Sequence, residues 1–317
     1  MRPFLFTSIP PRHQGTDFAT ADGAAPQVVT IRSWLEAGFH PVSIHPAGEI
    51  DRHSRLPEAL QATGVECVVL RATAVEPAAP LLCPFIDLLQ AIHQRADEAP
   101  FAIINADIRI AGPSRDGPVA LMRRLTDDAF LIGQRTDVGP RRIGGVREEV
   151  FPHGLDFLAL HRRWIDRVLD FLSPSLAFGR PWWDHYLPLA LIACGARPCL
   201  VAPGRCRHDI HDTRWNWRHY CSIGKSALHS FQAAAERLDP PVTARRWVDA
   251  TTAEFGPFVP SPCVAVLRRL ALHEAAPVFL TASFFKRQAA ANMKLILQSA
   301  IPVAPPSAPV SDSRVAP

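Results

Sequence analysis

The segment Ile103-Ile104-Asn105-Ala106-Asp107-Ile108 sets two oxygen-bearing side chains two residues apart inside an apolar run. In an extended chain the side chains alternate, so Asn105 and Asp107 are expected on the same side. Two such oxygens flanked by apolar residues suit a divalent cation that neutralises a diphosphate. The same tripeptide also fits an Asx-capped turn, whose carboxylate satisfies backbone N–H groups. A second cluster, Arg207-His208-Asp209-Ile210-His211-Asp212, holds two imidazoles three residues apart among carboxylates. Neutral imidazole is a common metal ligand. Taken alone, this HDxHD pattern fits the metal site of a phosphohydrolase or a solvated loop.

These residues need a frame to bring them together. Short β-rich runs at 3–8, 40–46, 65–71, 101–110, 129–136 and 154–160 alternate with helical segments at 27–37, about 81–96 and about 162–171. That alternation predicts an α/β fold, a mainly parallel sheet flanked by helices. Gly38 marks the end of the first helix. In the second, Leu82, Phe85, Ile86, Leu89 and Ile92 form an apolar stripe that packs on the sheet. Ligands in open α/β sheets bind beyond the carboxyl ends of the strands. Four such ends are polar here: Thr7-Ser8 leading into Pro10-Pro11-Arg12, then Asn105 and Asp107, then Arg135 and Asp137, then Asp156. Arg135 suits a bidentate contact with a diphosphate, or an ion pair with Asp137 or Asp107.

Several passages in order, TSIPP (7–11), IINADI (103–108), GQRTDV (133–138), GLDFLAL (154–160) and FGRPWWDHYLPLA (178–190), resemble a bacterial group of glycosyltransferase-like proteins with the nucleotide-diphospho-sugar transferase (GT-A) fold. The resemblance covers roughly residues 3–217, and Pro181-Trp182-Trp183-Asp184 is its sharpest element. It implies that Thr7, Ser8, Pro10 and Arg12 lie near the nucleotide. It implies that Asn105-Ala106-Asp107 stands where the family has its DxD motif, which binds Mn²⁺ or Mg²⁺ and the donor diphosphate. Asn105 replaces the first Asp of that motif and removes one negative charge. The resemblance further implies that Asp184 is the catalytic carboxylate and that His208 or His211 completes the metal site. The residue types agree: a carboxylate takes the proton of an acceptor hydroxyl, and a metal or cation steadies the departing diphosphate. Trp182 and Trp183 offer apolar faces to a sugar, or are core; Asp184 alternatively caps a helix.

The 317-residue chain is 48% hydrophobic and 20% charged, enough for a large core. Its 34 basic residues are dispersed among 30 acidic ones, for a net charge of +4. This is no nucleic-acid footprint, although it suits an anionic ligand or an anionic membrane surface. No GxGxxG or Walker-type loop points to a dinucleotide or a triphosphatase. The glycines of Arg142-Ile143-Gly144-Gly145-Val146 suit a loop that flexes over a ligand, or an ordinary turn. Seven cysteines without a CxxC pair read as reduced thiols of a cytoplasmic protein. The apolar run at the N-terminus is too short for the core of a signal peptide and reads as the first strand.

The expected organisation is a transferase-like domain over 1–220, a helical C-terminal extension over 221–300 and a disordered Pro-rich tail over 301–317. Helices are expected at about 221–237, 261–275 and 283–299. The last mixes Phe284, Phe285, Met293 and Ile296 with Lys286, Arg287 and Lys294, a pattern that packs on its own domain or on a partner and also suits peripheral membrane contact. The expected partners are a nucleotide-diphosphate sugar and an unknown acceptor, whether glycan, lipid-linked or protein. The competing readings are a non-catalytic binding or scaffold protein, favoured by Asn105, and a phosphohydrolase built on His208, Asp209, His211 and Asp212 without Asp107.

Overall fold

The computed structural model describes residues 2–13, 16–70, 82–96, 98–140, 146–151, 154–211, 217–237 and 289–302. Its principal elements are β1 (Phe4–Thr7), α1 (Pro26–Glu36), β2 (His40–Pro46), β3 (Glu66–Leu70), α2 (Phe85–Arg95), β4 (Phe101–Ile104), β5 (Ile108–Ile110), β6 (Ala129–Pro140), β7 (Val146–Val150), β8 (Phe157–Leu160), α3 (Trp183–Ala193), β9 (Arg197–Asp209) and α4 (Trp217–Arg237). The main sheet runs β3-β2-β1-β4-β8-β6-β9. Its strands are parallel except β8, which is antiparallel to both β4 and β6. Helices cover both faces, so the chain has a mixed α/β fold with a mostly parallel sheet.

Alternation along β1 shows how the core divides. Leu5 packs on one face with Trp34, Phe39 and Ile104, while Phe6 packs on the other with Phe85, Phe101 and Trp183. Each fully buried large apolar side chain contributes roughly 1.5–3 kcal/mol, so both faces are strongly anchored. Close packing extends to the backbone at Gly133 of β6. A Cβ there would lie 2.6 Å from Cys206 Sγ and 3.0 Å from Phe157 Cβ, closer than side chains tolerate.

The expected strand 101–110 is two strands. β4 stays in the parallel sheet, the chain turns at Asn105–Asp107, and β5 departs to pair antiparallel with β9, matching Ile108 with His208. Helix α1 holds β5 there. Trp34 Nε1–H donates to the Ile108 carbonyl at 2.7 Å, and the Ile110 N–H donates to Ser33 Oγ at 3.1 Å. Pro26 at the first helical turn and Gly38, with φ +95, just past the end bound this helix.

Helix α4 crosses residue 220, and its Tyr220 and Phe231 join the same core cluster as Phe6 and Trp183. In the helical stretch 289–299, Ala289, Met293 and Ile296 also turn into that cluster, so its apolar side faces its own domain. Ile301–Pro302 then pairs with Cys199 and Leu200 of β9. The expected helix at 261–275, the start of the one at 283–299, the glycine loop over 141–145 and the tail beyond 302 lie outside the described residues. Among the described residues no helix is long and apolar enough to cross a membrane. All described cysteines are free thiols.

Candidate functional site

The order of the strands reverses between β1 and β4, and polar residues gather at their carboxyl ends. Asp107, in the turn after β4, accepts from two histidines. Its Oδ2 lies 3.1 Å from His211 Nε2 and 3.5 Å from His208 Nε2. One ligand atom from each of Asp107, His208 and His211 lies within 4.8 Å of the others. Two imidazoles and a carboxylate converging this closely fit a divalent transition ion.

A bulge makes this convergence possible. β9 pairs with β6 in one register up to Val201 opposite Gly133, and resumes at Cys206 opposite Arg135, with three extra residues on β9. Gly204, with φ +80, sits in the bulge, and its N–H donates to Thr136 Oγ1. The shifted register places His208 opposite Asp137, whose Oδ1 lies 3.0 Å from His208 Nδ1.

Electrostatics follow from these contacts. Burial pushes the Asp107 carboxyl up, but hydrogen bonds from His208 and His211 and their charges outweigh it and hold the group well below the usual carboxylate range. Burial pulls His208 down, yet hydrogen bonds to Asp107 and Asp137 raise it to about 9. Without metal, His208 is therefore an imidazolium at neutral pH.

Beside this trio lies a second charged group. Arg135 Nε is 2.8 Å from Asp137 Oδ1 and its Nη1 is 3.5 Å from Asp156 Oδ2, while the guanidinium sits 4.0 Å over the Phe151 ring. Of the two roles expected for Arg135, these contacts are those of an ion pair. Asn105 Nδ2–H donates to Asp156 Oδ1, so Asn105 turns toward Asp156 while Asp107 turns toward the histidines. The same-side expectation assumed a continuous strand, and the turn at 105–107 undoes it. Burial raises the Asp156 carboxyl to about 6, the Arg135 charge opposing and the charges of Asp184 and Asp107 adding to the rise. Burial also raises Asp184, against its own backbone N–H, the charge of Arg135, and the N–H groups of Trp182 and Leu155.

Asp184 lies in the first turn of α3, two residues after a strained one. Trp182 has φ +90, the sole positive value at a non-glycine position among the described residues. Such a conformation costs about 1–3 kcal/mol and persists where packing over-determines it. Here the indole is fully buried, and its Nε1–H donates to the Tyr220 carbonyl at 2.8 Å. Trp183 is 1% exposed, with Phe85 and Phe178 centred 5.3 and 5.1 Å away. Both tryptophans are thus enclosed in the core, and neither offers a face to a sugar.

No protein-family model and no curated protein matches the chain. Among solved structures, an inositol-1-phosphate CTP transferase from T. maritima is similar at 14% identity and a TM-score of 0.39, over 71% of this chain and 95% of that one. A putative glucose-1-phosphate thymidylyltransferase from Bacillus anthracis, in complex with a sucrose, is similar at 8% identity and a TM-score of 0.39, over 74% and 95%.

The residues expected near a nucleotide run from Thr7, the last of β1, into the loop that follows. Thr7 is fully buried, with no partner for its Oγ1 among the described residues. Ser8 and Pro10 are half-buried, and Arg12 is exposed, 3.7 Å from Asp17. A small cleft that takes in two of the trio, Asp107 and His211, is also lined by His13, Gln27, Thr30 and Asp209. Asp184 is not part of that lining; its charge is felt by Asp156, which Arg135 joins to Asp137. Sequence reasoning passed over His13, Gln27 and Thr30 as site residues. The signal for Gln27 is its position in the first turn of a helix that follows a polar strand end; its Nε2–H donates to the Pro10 carbonyl at 2.9 Å. Asp209 pairs with Arg109, and Asp212 lies outside the described residues.

Proposed function

We propose that this chain is a nucleotide-sugar-dependent transferase that passes a sugar from a nucleotide-diphosphate donor to an acceptor hydroxyl. One observation carries the reading: Asp107, His208 and His211 converge at the carboxyl edge of the sheet, where α/β folds bind their ligands. These three side chains would hold the ion. Imidazole donors suit a transition ion, and a carboxylate suits Mn²⁺, so this set favours Mn²⁺ over Mg²⁺. When bound, the ion supplies positive charge for the diphosphate.

The remaining roles belong to the chain's own groups. Asp184 accepts the proton of the acceptor hydroxyl as its oxygen bonds to the anomeric carbon and the bond from that carbon to the diphosphate breaks. A carboxyl whose proton affinity burial has raised is a better base near neutrality than an exposed one. Arg135 neutralises Asp137 and Asp156 and so keeps several carboxylates compatible in one site. Thr7, Ser8, Pro10 and Arg12 flank the nucleotide, with Gln27 holding the loop through Pro10.

The phosphohydrolase reading required a site formed without Asp107, and the contacts of both histidines with Asp107 favour the transferase. The scaffold reading keeps one supporting observation, the engagement of Asn105 with Asp156. Calorimetric titration with UDP or GDP in Mn²⁺ tests the proposal. Metal-dependent binding lost in Asp107→Ala supports it, and no binding by the folded chain sinks it. Binding without turnover of any donor favours the scaffold.

A further inference from the structure

Asp137 bonds to His208 on the side away from Asp107. Its Oδ1 accepts from Nδ1–H at 3.0 Å, while Nε2 of the same ring points to Asp107. That division of the two ring nitrogens fixes the ring plane and keeps the Nδ1 proton in place when the Nε2 proton is given up. The carboxylate is ion-paired in turn, Arg135 Nε lying 2.8 Å from the same oxygen. His208 is 6% exposed, so no water shell competes for its Nδ1–H.

We infer that Asp137 is a positioning residue for the metal centre: it holds His208 with Nε2 free to ligate, and Arg135 braces it. The inference rests on the metal site proposed above. Asp137 is thereby removed from the groups that touch the nucleotide, and Arg135 serves the protein rather than the diphosphate. Carboxylates that accept from a ligating imidazole raise its basicity and set its aim, and their loss costs about 10–100-fold in metal affinity.

The bulge in β9 gives a reason for this pairing. Carrying the register before Val201 onward would set Arg205, not His208, opposite Asp137. The three extra residues serve to bring an imidazole to that carboxylate.

Mn²⁺ titration of the full chain, followed by electron paramagnetic resonance, tests the inference. Asp137→Ala is expected to weaken Mn²⁺ binding by about 10–100-fold, with Asp137→Asn recovering most of it because the amide oxygen still accepts from Nδ1–H. In the Zn²⁺-loaded chain, nitrogen-resolved NMR is expected to show a slowly exchanging His208 Nδ1–H, lost in Asp137→Ala. A merely structural carboxylate would move neither the rescue by Asn nor that proton. Wild-type affinity in both Asp137 variants, with binding lost in His208→Ala, overturns the inference and leaves the site standing. Unchanged binding in Asp107→Ala and His208→Ala overturns the metal site itself. If Asp137→Ala does not fold, Asp137→Asn with the Nδ1–H signal decides: a proton that exchanges as fast as in solvent overturns the inference.

Discussion

His211 Nε2 lies 3.1 Å from Asp107 Oδ2, although 104 residues separate them. The contact closes a loop of chain that includes β5 to β9, so the candidate site forms only when the far side of the sheet is complete. Its integrity therefore reports on the fold as a whole.

Replacing Asp107 by Ala is expected to abolish Mn²⁺-dependent nucleotide binding. It also removes one acceptor from each of His208, which keeps Asp137, and His211, at a cost of about 1–3 kcal/mol. Calorimetry and denaturant unfolding of the metal-free variant separate the two effects. A nucleotide affinity equal to wild type would contradict the assignment.

Metal binding must displace a proton from His208, whose value of about 9 lies above neutral pH. Mn²⁺ affinity is expected to rise roughly tenfold per pH unit between about 6 and 8 for one displaced proton. Titration in buffers of different ionisation enthalpy counts that proton. A flat pH dependence would remove His208 from the ligand set.

Asp184 has a proton affinity raised by burial, so in the pH range between its unfolded and folded values the native state binds the extra proton. Stability from this group is gained as pH falls toward 4 and lost as pH rises to about 6 and beyond. Asp184→Asn removes the buried charge and is expected to raise Tm at pH 8 by more than at pH 5, while abolishing transfer. Equal shifts at both pH values would show that the carboxylate is not desolvated. Stability bought at the expense of activity is the usual mark of a functional group.

Trp34 is not one of the Asp107, His208 and His211 trio, yet its indole N–H anchors Ile108, the residue after Asp107. Trp34→Phe keeps an aromatic ring but removes that donor and part of the buried ring volume, so it is expected to cost about 2–4 kcal/mol. Because β5 is then less firmly held, Mn²⁺ binding should weaken as well. An unchanged metal affinity at reduced stability would show that the turn holds itself.

The alternation of β-rich and helical runs was readable because it is local: apolar period and turn residues decide it. Asp107, His208 and His211 were readable as residue types that bind metals. Their meeting was not, since it depends on β5 leaving β4 and on a three-residue bulge in β9, neither of which has a signature in apolar periodicity. Trp182 and Trp183 show the reverse case. A tryptophan pair beside a carboxylate reads equally as sugar platform or as core, and burial by Phe85, Phe178 and Tyr220 decides for core.

The outer flank of β9 is covered by two short patches, β5 opposite 206–208 and Ile301–Pro302 opposite Cys199 and Leu200. A chain cut ahead of Ile301 would bare the amides and carbonyls of Cys199 and Leu200 and turn a closed border into a sticky one. Such a truncated chain would be prone to recruit strands from its neighbours, so the short strand Ile301–Pro302 acts as a seal against self-association.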